Sequence, residues 1–321
     1  MARSDLLLDL VRSGAEGDSA TFRRVVQTLA ADERAKRHDL LADRLESLLE
    51  QPAVDAVPLR NLNSPMAVEG VRESWPTSIL NDLVLSEGVR ASLDDFVEQQ
   101  LRSDELRTHG LEPAGKLLLV GPPGCGKTSI AQAISNALTL PLYTVRYEAL
   151  FSSYLGETLA RLARLFDLAR RDRCVLFFDE LDTVAKERSD GQELGEIKRL
   201  VSSLLLFLDE APTYSPVIAA TNHPDLMDKA AWRRFSVRLR IEASSLSSLE
   251  MFFTNWRQRH GVDLGLASST LAKAVVGSSY AEALDLAEAI ARRVVLAGTS
   301  ASPRTIAQAE VKRFQAAARA R

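Results

Sequence analysis

Only two of the 321 residues are cysteine, Cys125 and Cys174, too few for a disulfide framework or a cysteine-rich zinc site. Both read as reduced thiols of a cytoplasmic protein. Four histidines, His38, His109, His223 and His260, are scattered without metal-ligand spacing. No run approaches the roughly 18–20 apolar residues needed to cross a bilayer. Asp5 and Asp9 break the short apolar stretch near the start before it resembles a secretory leader. Charge of one sign is also missing: 40 Lys+Arg against 43 Asp+Glu leave −3. Bulk electrostatics therefore gives no reason to expect nucleic acid. The expectation is a cytoplasmic protein with neither membrane nor nucleic acid as partner.

What is present is ordinary globular material, 46% apolar and 26% charged, with room for about two domains. Residues 1–50 read as a short helical region, with apolar stripes at Leu6, Leu7, Leu10 and Val11, at Phe22, Val25, Val26 and Leu29, and at Leu40, Leu41, Leu45, Leu48 and Leu49. Its apolar face packs on a partner or a neighbouring copy, as an adaptor or oligomerisation region, or folds as a self-contained hairpin. Residues 51–76, punctuated by Pro52, Pro58, Pro65, Gly70 and Pro76, read as a linker. Across 77–242 five apolar runs alternate with helical stretches: Leu117–Val120, Leu142–Arg146, Val175–Phe178, Val217–Ala220 and Val237–Ile241. That alternation predicts an α/β fold, a parallel five-stranded sheet flanked by helices. Residues 243–321 are helical only and predict a smaller C-terminal domain. Its basic tail, with Arg304, Lys312, Arg313, Arg319 and Arg321, reads as a solvated helix end ahead of the alternative, a local nucleic-acid contact.

The strongest motif is Gly121-Pro122-Pro123-Gly124-Cys125-Gly126-Lys127-Thr128, between the run KLLLV and a helix opening near Ser129. It fits the phosphate-loop pattern in the strand-loop-helix context that pattern requires. Glycines let backbone amides approach phosphate oxygens, and the helix N-terminus favours the anion. Lys127 then neutralises the outer phosphates, and Thr128 offers a hydroxyl to Mg²⁺. Cys125 stands at a variable position, as loop filler or as a redox group. Some 50 residues on, a buried run delivers Asp179 and Glu180. Asp179 is placed to hold Mg²⁺ through its water shell, and Glu180 to orient an attacking water. Asp182 is either a further site acid or a helix-start residue.

These residues, in this order, resemble the AAA family of ATPases, in the branch of the unfoldases and the proteasomal and FtsH-type motors. The likeness runs from about Trp75 to Leu296. It implies a P-loop NTPase core with a helical lid, ATP and Mg²⁺ as ligands, and ATP hydrolysis. Val217-Ile-Ala-Ala-Thr-Asn222 resembles the strand whose asparagine contacts the γ-phosphate or the attacking water. Asp228-Lys-Ala-Ala-Trp-Arg233-Arg234-Phe235 resembles the segment whose arginines act on the next subunit's nucleotide. The family usually separates those arginines by two residues and here they are adjacent, so which of them reaches across stays open. Gly277-Ser-Ser-Tyr-Ala-Glu282 resembles the second sensor region, and Gly110 lies near where the family contacts adenine. Tyr154-Leu155-Gly156 resembles a pore loop that pushes on a threaded chain, although Tyr154 is also explicable as a packed helix-start residue.

The resemblance thus implies a self-assembled ring, a hexamer, acting on a protein substrate. No H-E-x-x-H motif follows, so any proteolysis needs a separate protease, as in bacterial phage-defence pairings of a single ATPase with a subtilisin-like enzyme. A nucleotide-switched assembly protein is the alternative, and a DNA-handling ATPase a third.

Overall fold

The structure, a computed structural model, describes residues 24–28, 68–145, 155–181, 194–226, 229–298 and 300–319. The chain divides into two compact units, 1–67 and 68–321. In the first, the described segment 24–28 is helical and buries Val25 and Val26, two of the expected apolar positions.

The second unit is built on a sheet of order β1-β3-β4-β5-β2-β6. Its strands are β1 (Val71–Ser74), β2 (Lys116–Val120), β3 (Leu142–Val145), β4 (Val175–Phe178), β5 (Val217–Thr221) and β6 (Val237–Arg240). All pairings are parallel except β1 with β3. The five expected strands are there, but among the described residues the sheet has six. β1 falls inside the stretch read as linker because VRES is a half-exposed edge strand. It lacks the apolar run that marks strands buried on both faces.

Period-two alternation along each strand feeds two cores. In β4, Leu176 and Phe178 enter one core, and Val175 and Phe177 the other. The first is covered by α4 (Leu155–Arg171) and α5 (Leu194–Glu210), through residues such as Phe166, Leu204 and Leu208. Phe166 stacks against Phe178 at 6.1 Å and Phe207 at 5.4 Å between ring centroids. The second core is covered by α1 (Glu87–Leu101), through Leu93 and Phe96, and by α3 (Lys127–Leu138), through Ile130 and Ile134. The short α2 (Ser103–Thr108) lies between α1 and β2. Each fully buried Leu or Phe contributes about 1.5–3 kcal/mol of transfer free energy, so truncating one such as Phe177 costs about 3–5 kcal/mol.

The strand order positions the site. β5 lies between β2 and β4, with Leu117 paired to Ile218 and Leu176 to Val217. Because these strands are parallel, the loops after β2, β4 and β5 leave the same sheet edge side by side, where open α/β sheets hold their ligands.

After β6 come α7 (Leu246–His260), α8 (Ser268–Ala274), α9 (Tyr280–Ala297) and α10 (Pro303–Arg319), with α6 (Lys229–Arg234) preceding that strand. The four C-terminal helices enclose a third core around Leu249, Phe253, Leu271 and Ile290. α7 and α9 both open with a capping box, Ser245 with Ser248 and Ser279 with Glu282.

Candidate active site

Backbone constraints shape the loop after β2. A Cβ on Gly121 would lie 2.4 Å from the Ile241 carbonyl oxygen, so no side chain fits there. Gly126 caps α3 in the left-handed region, at φ +94, where L side chains are strained. Gly124, also left-handed, packs so closely on Ser279 that a Cβ would stand 2.6 Å from that side chain. The Ala281 amide donates to the Gly124 carbonyl at 3.3 Å. The start of α9, in the segment that resembles the second sensor, thus sits directly on the loop after β2.

Lys127 is buried, 7% exposed, so its ammonium needs acceptors. Its three protons meet three of them: Gly121 O at 2.7 Å, Pro122 O at 2.8 Å and Asn222 Oδ1 at 2.7 Å. Thr128 Oγ1 donates to Asp179 Oδ2 at 3.0 Å, and the other Asp179 oxygen accepts the Glu180 amide at 3.0 Å. The loop, the acidic strand end and the strand between them therefore meet as expected. Ser129 lies in the first turn of α3 and lines the same cleft, as do Pro123 and the buried Cys125.

Glu180 carries an unusual backbone. Its φ of +51 is left-handed, a conformation that costs a non-glycine residue on the order of 1–3 kcal/mol and gathers at functional sites. The next amide, Leu181, returns to the ladder by donating to Ala220 O at 2.9 Å. The kink between Asp179 and Leu181 leaves the Glu180 side chain exposed at the sheet edge.

The cleft has a volume of about 380 Å³. Beyond the phosphate loop it is walled by Leu83, Val84 and Leu85 on one side and by Phe252, Tyr280 and Leu284 of the C-terminal helices on the other. Asp82 also lines it and pairs with Arg259 of α7 at 3.0 Å. Burial raises the Tyr280 hydroxyl pKa, opposed by its hydrogen bond with Ser248. Gly110 is not among the cleft residues; it follows α2 with φ +73, as a helix-ending glycine does. Sequence reasoning missed the Leu83–Leu85 wall, because three aliphatic residues in a coil carry no motif.

Residues 117–243 match the family described as ATPase family associated with various cellular activities (AAA). The chain is similar to "Uncharacterized AAA family ATPase y4kL" of Sinorhizobium fredii, at 37% identity over 297 residues, 88% of this chain and 86% of that protein. It belongs to the AAA family. Its AAA domain makes it an ATPase that binds and hydrolyses ATP. It is also similar to peroxisomal ATPase PEX6 of Saccharomyces cerevisiae, at 40% identity over 150 residues. PEX6 of Arthrobotrys oligospora is 33% identical over 241 residues. The chain spans only 15% and 20% of those two proteins.

In this AAA chain, Arg233 and Arg234 do not join the cleft. They precede β6, whose Val237 pairs with Leu117 near the start of β2, whereas the phosphate loop begins at Gly121. At about 3.3 Å per residue the strand separates those ends by about 13 Å, so the arginines stand at the opposite sheet edge. Of the pore triplet, Tyr154 lies outside the described residues, as do Asp182 and Asp228. Leu155 and Gly156 open α4, and a Cβ on Gly156 would meet nothing within 4 Å.

Proposed function

We propose that this ATPase works as a ring, a hexamer, in which each nucleotide site is completed by a neighbour, and that hydrolysis remodels or threads a protein. The position of Arg233 and Arg234 carries the reading. They lie at the sheet edge away from their own phosphate loop, yet guanidinium groups suit the charge that develops on a transferring phosphoryl group. The site they complete is then the next subunit's.

Within one subunit, Lys127 and the amides of Gly124 to Ser129 bind the phosphates, and the apolar slot between Leu83–Leu85 and Phe252/Tyr280 takes the base. A hydroxyl and a carboxylate fit Mg²⁺, which takes oxygen ligands and keeps several waters. Thr128 and Asp179 would hold it, and when bound it neutralises phosphate charge. Glu180, exposed at the cleft on its strained backbone, orients the attacking water. Asn222, fixed against Lys127, contacts the γ-phosphate or that water.

The protein substrate is gripped by Tyr154-Leu155-Gly156. An aromatic face holds an extended chain without reading its sequence, and the open space at Gly156 means the fold itself does not demand a glycine there. Residues 1–50 serve as the adaptor before a linker, residues 77–242 form the ATPase core, and 243–321 form the lid. A protease, where one acts, is a separate chain.

The test is ATP turnover with and without an unfolded polypeptide, in wild type and Tyr154→Ala. Stimulation that disappears in Tyr154→Ala supports threading. Turnover indifferent to polypeptide supports the nucleotide-switched assembly protein instead, and stimulation by DNA alone supports DNA handling.

A further inference from the structure

The two adjacent arginines are held differently. α6 and the residue after it form the run Ala231-Trp232-Arg233-Arg234-Phe235. Ala231 and Phe235 are buried, Trp232 packs on the same core, and the Arg238 guanidinium lies 5.9 Å from the Trp232 ring centroid. Arg234 is half-buried: its Nε donates to Asp209 Oδ2 at 2.9 Å and its terminal nitrogen to Ala230 O at 2.9 Å. At about 100° per residue, this anchoring turns Arg233 to the outside. Arg233 is exposed and has no hydrogen-bond or ion-pair partner among the described residues.

Asp209 occupies a place that helix electrostatics disfavours. It lies in the last turn of α5, which has no basic residue there, and an acid at a helix C-terminus opposes the macrodipole. Each acid of that turn has a cation from another element: Arg234 for Asp209, and Arg170 at 2.7 Å for Glu210. Lys116, at the start of β2, belongs to the same cluster. Burial lowers its pKa, while Asp209 opposes that shift and Arg234 reinforces it.

We infer that the pair divides its labour: Arg233 is the group delivered to the neighbouring subunit's nucleotide, and Asp209 is a positioning residue that holds Arg234 in its own subunit so that Arg233 projects. The inference rests on the ring reading above. It makes α5, whose N-terminal end follows the Glu180 loop in the chain, the element that sets the arginine's orientation.

The experiment is complementation between variants in the full chain. Asp209→Asn alone should lower kcat at least about tenfold, through loss of transition-state contacts, with ATP affinity and ring assembly preserved. Asp209→Glu, which keeps the charge, should recover most of the rate. An Asp209→Asn subunit keeps its own Glu180, and a Glu180→Gln subunit keeps a correctly held Arg233. A random equal mixture should therefore regain about a quarter of wild-type turnover, because about a quarter of junctions combine the two intact halves. Arg233→Ala mixed with Glu180→Gln is the control and should regain the same fraction.

Recovery in both mixtures supports the inference. Recovery with Arg233→Ala but not with Asp209→Asn overturns the role of Asp209 and leaves the shared site standing. Recovery in neither overturns the shared site and the inference with it. Wild-type turnover by Asp209→Asn alone also overturns the inference. Should Asp209→Asn fail to assemble, Arg234→Lys takes its place in the same mixture, with the same two readings.

Discussion

Lys127 and Asn222, 95 residues apart in the chain, meet at 2.7 Å between Nζ and Oδ1. The contact exists because β5 is inserted between the phosphate-loop strand and the acidic strand. On the proposed reading it joins a residue that holds phosphate to one that contacts its reacting end. Asn222→Ala should lower kcat by about 10²-fold, the usual cost of removing one preorganised donor, with a smaller change in KM. Lys127→Ala should instead abolish nucleotide binding. Steady-state turnover and equilibrium binding separate the two, and an Asn222→Ala enzyme with normal kcat would remove Asn222 from the site.

Glu180 should show opposite effects on activity and stability. Glu180→Gln retains ATP binding and loses turnover by at least about 10²-fold, as general-base loss does. Glu180→Gly loses turnover too, but relieves the left-handed strain at φ +51. It should gain about 1 kcal/mol, a rise of roughly 2–4 °C in thermal midpoint for a domain of this size. A Glu180→Gly protein that melts below wild type would show that the strain is not stored there.

Gly124 joins the loop after β2 to the C-terminal helices. In Gly124→Ala the new Cβ would stand 2.6 Å from Ser279 while φ stays at +71. Either the loop or the start of α9 must move, weakening both phosphate binding and the Ala281–Gly124 hydrogen bond. ATP affinity should fall by at least about tenfold. The second variant Ser279→Gly, added to Gly124→Ala, should return part of it by making room. No recovery in the double variant would place the damage in the backbone conformation alone.

Cys174 sets an alkaline limit. It is buried at the start of β4, and burial pushes its thiol from 9.0 up to about 12, with Ser215 opposing. Because the folded pKa lies above the unfolded one, this contribution is complete below about pH 9 and is lost as pH rises from 9 toward 12. The loss is about 1.4 kcal/mol per pH unit inside that window. Urea midpoints of wild type and Cys174→Ala at about pH 8 and about pH 10 test it: the wild type should lose more. Equal losses would mean that the Cys174 thiol is not what titrates.

Much of this molecule is legible in its sequence, for identifiable reasons. A strand buried on both faces must be apolar throughout, so KLLLV and VLFF announce themselves, and glycines whose Cβ positions are occupied by backbone cannot vary in type. Gly121 and the run ending at Asp179 are of that kind. Elements that depend on tertiary context are silent. β1 is polar because it is an edge, the Leu83–Leu85 wall is three aliphatic residues in a coil, and Gly110 looks like a ligand contact but ends a helix. The difference between Arg233 and Arg234 is invisible in the dipeptide. It appears only when Asp209, 25 residues upstream of Arg234, is brought beside it.

If one subunit completes the site of the next, ATP turnover per subunit must depend on protein concentration. Wild-type specific turnover should rise cooperatively with concentration as rings form. Arg233→Ala should assemble over the same range while remaining roughly 10³-fold slower. Wild-type turnover that stays constant down to dilutions where sedimentation finds only monomer would mean that each site is complete within one subunit.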